Sequence, residues 1–397
     1  MKITAQKKLL IYKILLFLFA FVVAFMPTTA SRSKEVNSRV IVEILGIDGG
    51  DDGVEITAQY IMPTETDGAT SKDAVTVEGA SLTEAVENLN TALGRRAELG
   101  HCSLVVAGED AAPELFGTLM TATDVTADVH LCAAEKSAKE LVADITAFMK
   151  KTAATDADFI AYSAKRAHIA TNTLLGFLSD LGSYSQTSYL PIVQMLQGDE
   201  QSGGGSGGNS GNGSDGGSGE SESGGGGGEK KESDGMTVEQ LALYDRDGRA
   251  GVLPRQAARG VAWVSAPVEK GIVVADVNYD GETVKAVSAR LLKKCAHIKI
   301  NHEDKSATVK LKATLEPNGD KFNVLDEKNA KAASDAVRDG FAEVIKREMS
   351  AAFESGKALG CDPLFIGRQF YRFAPECCKS LDLNEATVYF DVDVVIK

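Results

Sequence analysis

The tract from residue 198 to 235 constrains this chain most. Residues 202–228 contain 15 of the protein's 39 glycines, interleaved with Ser, Asn and acids. A segment of that composition buries no core, so the folded parts must lie before it and after it. It reads as a flexible linker whose free ends would average roughly 30–37 Å apart. Gly204-Gly205-Ser206-Gly207-Gly208 matches a nucleophile-elbow pattern, but no strand enters it and no helix leaves it, so the match is compositional.

The N-terminus reads as an address. Lys2, Lys7, Lys8 and Lys13 precede an apolar run, Ile14 to Met26, which is followed by Pro27 and the small residues Thr28, Thr29 and Ala30. This is the order of a secretory signal, with cleavage expected between Ala30 and Ser31. Extended back to Leu9, the same run is a marginal anchor that buries Tyr12 and Lys13 near the membrane edge. Both alternatives place the later residues outside the cytoplasm. The net charge is −14 from 42 Lys plus Arg and 56 Asp plus Glu, and −18 without the first 30 residues. A surface that acidic repels phosphate backbones, which excludes nucleic acid as a partner class.

Before the tract, strands and helices alternate. Arg39–Gly46 and Val54–Met62 read as strands around a turn rich in Asp and Gly. Asp48, Asp51 and Asp52 in that turn depart from calcium-loop spacing, so it reads as a hairpin turn. Ser81 and Glu84 form a capping box for a helix to Leu93. Cys102–Ala107 and Asp128–Ala133 are strands around a helix at 113–122. Helices are expected at about Ser137–Met149 and Asp156–Leu181, with an apolar run at Tyr189–Leu196. After the tract, Asp245-Arg246-Asp247-Gly248 signals a hairpin, and a short helix from Pro254 runs toward the single tryptophan, Trp263. Gly271–Val277 is a strand, and Thr283–Leu292, Ala296–Asn301 and Ala307–Leu315 alternate as antiparallel strands. A helix over Asp326–Leu359 carries Ala333, Val337, Phe341, Ile345, Met349 and Phe353 as a core stripe, with Gly360 ending it. A strand at Ala386–Ile396 closes the chain.

These patterns predict an α+β, mixed α/β protein of three sequential domains with mixed and antiparallel sheets. The last domain carries one long helix packed on a sheet. The divisions are an N-terminal signal or anchor (1–30), an α/β domain (36–197), the linker (198–235), a small middle domain (236–279) and a C-terminal α+β domain (280–397). Cys102 and Cys132 lie in two neighbouring apolar runs, where a disulfide and a pair of buried thiols are the alternatives, the thiols being favoured. The five histidines (His101, His130, His168, His297 and His302) are scattered, and no catalytic, cofactor or metal pattern survives its context. Trp263 is expected to be buried structural core.

Four stretches, taken in order, carry a resemblance. They are Gly46-Ile47-Asp48-Gly49-Gly50-Asp51-Asp52-Gly53, then Gly100-His101 through Gly108-Glu109. Next comes Ala258-Arg259-Gly260-Val261-Ala262-Trp263 with Gly271-Ile272-Val273-Val274, and finally the long helix ending at Ala352–Asp362 with Val392-Asp393-Val394 in the last strand. With them the chain resembles the C subunit of bacterial spore nutrient germinant receptors, the Ger(x)C family. The resemblance implies a non-enzymatic subunit at the outer face of the spore's inner membrane, without cofactors. Its partners would be the membrane surface and two polytopic subunits, A-type and B-type, that sense nutrients and move ions. Family members usually carry a lipobox cysteine, whereas no Cys precedes Cys102 here. Attachment is therefore expected through the N-terminal segment or through the partners, without acylation. The competing reading is a free extracytoplasmic protein that captures a small ligand between domains.

Overall fold

The computed structural model describes residues 13–19, 21, 39–50, 53–63, 70–152, 158–197, 233–265, 271–318, 330–378 and 386–397. The expected cleavage point, Ala30 and Ser31, and most of the 198–235 tract lie outside the described residues. Among the described residues, no helix is long and apolar enough to cross a membrane.

Two sheets organise the chain. The first runs β10-β9-β8-β6-β5-β1-β2-β3, with β4 (Arg96–Glu98) added to β1 and β7 (Asn172–Thr173) to β6. Its centre is parallel: β1 (Arg39–Gly50), β5 (Leu104–Ala107), β6 (His130–Ala133) and β8 (Ser188–Gln197). Its margins are antiparallel: β2 (Gly53–Pro63) and β3 (Thr70–Gly79) on one side, β9 (Ser233–Tyr244) and β10 (Arg249–Leu253) on the other. The central strands are covered on both faces, which is why they read as unbroken apolar runs. Val105, Leu131 and Leu190 turn to one face, against helices α1 (Leu82–Leu93), α2 (Pro113–Ala122) and α5 (Leu174–Gly182). Leu104, Val106 and Tyr189 turn to the other, against α3 (Ala138–Thr152), α4 (Asp158–Ala167) and α6 (Arg255–Val264).

The second sheet runs β11 (Ile272–Tyr279), β12 (Glu282–Asn301), β13 (Ser306–Asn318) and β14 (Thr387–Ile396). The first three are antiparallel and β14 joins β13 in parallel. Helix α7 (Ala330–Ala358) lies across this sheet, and all six residues of its expected stripe are buried. One apolar core runs from the first sheet through α6 and α7 into the second. The segment 236–279 serves both sheets: β9 and β10 extend the first, and β11 is the edge of the second.

Three local expectations need correction. The single helix at 156–181 is two, α4 and α5. His168 takes a left-handed φ of 59°, β7 pairs with β6, and Thr173 Oγ1 accepts the Gly176 N–H as the N-cap of α5. The separate strands at 283–292 and 296–301 are one strand, β12, because an irregularity at Leu291–Lys293 shifts the register without ending the pairing. Strand β3 is additional: its alternation is masked by Lys72 and Asp73, and Lys72 pairs at 2.6 Å with the buried Glu43 of β1.

The Gly/Ser tract joins β8 to β9, which are neighbours in the sheet and pair Gln197 with Ser233. Its two ends are therefore held about one strand spacing apart, roughly 5 Å. The tract closes a hairpin. Loop-closure free energy changes by about 0.6 kcal/mol per doubling of length, so halving the tract should raise the melting temperature by no more than about 2 °C. A calorimetric loss of several degrees in the shortened chain would show that the tract packs on the body.

Candidate functional site

The four signature stretches converge on three joints. At the first, β1 delivers Asp48 to the start of α3. Its carboxylate accepts N–H bonds from Ala138 (2.7 Å) and Lys139 (2.9 Å) and the Ser137 hydroxyl at 3.2 Å. This carboxylate is therefore a helix N-cap, where the macrodipole favours negative charge. A Cβ on Gly108 would lie 2.0 Å from Asp48 Oδ1, which explains why glycine precedes Glu109.

The second joint is built by α6. Its helical spacing puts Arg259, Gly260 and Trp263 against α7 at Glu348. Trp263, fully buried, donates Nε1–H to Glu348 Oε2 at 2.6 Å. Arg259 Nε stands 3.1 Å from Glu348 Oε1, off the line of a hydrogen bond, and its Nη2 donates to the Ile272 carbonyl at 3.3 Å. The ion pair is almost sealed, with side-chain exposures of 12% and 7%. Burial pushes the Glu348 carboxyl upward, and Arg259 and Trp263 oppose that push. Gly260 lets the two helices touch: a Cβ there would lie 2.0 Å from the Glu348 carbonyl oxygen. His168 packs at a tilt of 51° against Trp263 with centroids 4.1 Å apart, and neither imidazole nitrogen has a hydrogen-bond partner among the described residues. Lys294 of β12 reaches the Ala262 and Ser265 carbonyls at the C-terminal end of α6.

The third joint closes the α7 end of the body. Asp362 is buried, and its carboxylate accepts the Ile366 (3.0 Å) and Gly367 (2.7 Å) N–H groups that open helix α8 (Ile366–Phe373). Ser185, ahead of β8, donates its hydroxyl to the same carboxylate at 2.7 Å, and Thr187 Oγ1 accepts the Asp362 N–H at 2.9 Å. A single side chain thereby caps α8 and holds it to the first sheet.

Glu348 and Asp362 act in roles that pattern reasoning does not assign them. The available signal for Glu348 is its position between Ile345 and Met349, where an acid sits on the margin of an apolar stripe. Cys102 and Cys132 are free, buried thiols in different clusters on opposite faces of the first sheet. They are not bonded to each other. Burial pushes the Cys102 thiol up to about 12, the behaviour of an inert core cysteine. Among the described residues, no cluster of His, Cys, Asp or Glu could hold a metal ion.

The second joint makes stability depend on pH. Burial, reinforced by Lys294 and Arg259, holds His168 well below its ordinary value of 6.5. The unfolded chain takes a proton near that value while the fold does not, so stability falls as pH drops below about 6.5. Burial also lowers Lys294 from 10.5 to about 7, so the fold sheds a proton that the unfolded chain keeps, and stability rises between those limits. Urea titrations from pH 5 to 9 should show His168→Asn flattening the acid limb and Lys294→Met the alkaline limb. Unchanged slopes would contradict the burial of these groups.

Together the fold and its joints define an α+β body in which signature residues fasten elements to one another. Residues 32–195 match the spore germination protein N-terminal domain. Residues 239–397 match the C-terminal domain described as spore germination B3/GerAC like. The chain therefore belongs to the Ger(x)C family of germinant receptor C subunits. Among solved structures it is similar to the crystal structure of the GerBC protein. That match has a TM-score of 0.50 at 11% identity and covers 89% of this chain and 96% of that one, a likeness of fold. A search of curated proteins found no match.

Proposed function

We propose that this chain is a non-catalytic subunit of a spore nutrient germinant receptor. It works at the outer face of the spore's inner membrane, beside the A-type and B-type polytopic subunits. The observation that carries this reading is where the signature residues go. Asp48, Arg259, Trp263 and Asp362 are engaged in helix caps and a buried ion pair, and groups so engaged are not offered to a substrate. The continuous core between the two sheets supports a rigid assembly partner over a hinged capture protein. Attachment is by the N-terminal segment or the partner subunits, without acylation.

Deleting the gene in a host that lacks paralogous receptors should abolish germination of purified spores with at least one nutrient. Normal germination with every nutrient would overturn the proposal. In the membrane fraction, a mature N-terminus at Ser31 with full release at alkaline pH would refute attachment by the segment. Labelling by a fatty-acid probe would refute the absence of acylation.

A further inference from the structure

We infer that a cavity where α6, α8 and β12 meet the first sheet binds a small organic carboxylate with an apolar body. The cavity holds about 420 Å³, within the size range of small-molecule sites. Among the described residues, it is lined by the α5–β8 region, the C-terminal end of α6, residues 296–298 of β12, and the turn and helix around α8, and it is open to solvent. Aromatic and aliphatic side chains such as Tyr189, Ile298 and Phe365 supply its apolar walls.

The charged lining decides the ligand class. Asp180 and Arg368 satisfy each other at 3.2 Å. Asp180 also accepts from Asn172 at 3.2 Å, and the Arg368 guanidinium lies 4.3 Å from the Phe365 centroid. Arg372 and His297 remain. Arg372 lies 5.2 Å from the Phe373 centroid, and among the described residues neither Arg372 nor His297 makes an ion pair. Arg372 thus lines the cavity as a guanidinium with no carboxylate partner among the described residues. Its planar fork matches a carboxylate in bidentate geometry. The apolar side chains of this mixed lining, Tyr189, Ile298, Phe365 and Phe373, favour a ligand with a hydrocarbon or aromatic body over inorganic phosphate, which would leave them facing water. This inference goes beyond the receptor-subunit reading and does not depend on it.

The test is calorimetric titration of the detergent-solubilised full chain with benzoate, with ligand-observed NMR as a second readout. Inorganic phosphate and benzyl alcohol serve as comparisons. Benzoate should bind saturably, and the comparisons at least about tenfold more weakly. Arg372→Gln should weaken benzoate binding about tenfold or more, the worth of one charge-assisted hydrogen bond. His297→Ala should weaken it several-fold, and Lys312→Gln, in the surface pair with Asp393, should leave it unchanged. Arg372 is exposed, so the fold of its variant is checked by an unchanged melting temperature. Absence of saturable benzoate binding to the native chain, equal affinity in Arg372→Gln, or phosphate binding as tightly as benzoate would each overturn the proposal. Spore germination plays no part in this titration, so its outcome is separate from that of the receptor-subunit reading.

Discussion

Glu348→Ala is expected to lower the melting temperature by on the order of 10 °C. The substitution leaves Arg259 charged and buried without its partner and strands the Trp263 N–H in the core between the two sheets. Removing one member of a buried pair costs about 3–5 kcal/mol. For folded bodies somewhat smaller than this one, each kcal/mol is worth about 2–4 °C. The diagnostic companion is the double variant Arg259→Met/Glu348→Met. It removes both charges, keeps the volume, and should regain most of the loss despite the orphaned indole. A single variant within 2 °C of the native chain would refute the sealed pair. A double variant no better than the single would show that packing, and not the unpaired charge, sets the cost.

The next largest effect is expected for Asp362→Ala, at about 3 kcal/mol or more. Three donors lose their acceptor together: two backbone N–H groups of α8 and the Ser185 hydroxyl. Each orphaned buried donor costs about 1–3 kcal/mol, and part of that returns where water reaches the helix end. Asp362→Asn keeps one acceptor oxygen and should cost roughly half as much. Hydrogen exchange provides the local readout. Amides of residues 366–370 should lose protection in Asp362→Ala before those of β1 or β5 do. Uniform loss across the chain would mean that the cap is not a local fastening.

Features set by neighbours in sequence were legible. Ser81 caps α1 as expected, and the Glu84 carboxylate reaches back to the Ala80 N–H at 2.9 Å. Asp245 turns the β9–β10 hairpin by accepting the Asp247 and Gly248 amides. The α7 stripe and the burial of Trp263 followed from apolar spacing alone. What stayed hidden depends on groups far apart in the chain. Glu348 meets Trp263 across 85 residues, and Asp362 meets Ser185 across 177. No periodicity encodes such pairs. The break at His168 was masked because its flanks keep helical spacing on both sides. Strand β3 was masked because its Lys72 neutralises a buried acid of β1. The parallel pairing of β14 is likewise set by where α7 returns the chain, and the alternation of β14 carries no direction.

The closing of the Gly/Ser tract on adjacent strands has a consequence for what counts as one molecule. A protease cut anywhere between β8 and β9 severs the chain without separating it. The two pieces still share ten paired positions from Ser188–Tyr244 to Gln197–Ser233, together with the core that α6 threads between the sheets. Residues 1–197 and 233–397 are thus expected to complement each other as fragments. Produced separately, they should find each other, so the covalent bond across the tract sets the local concentration of the halves and not their mutual fit.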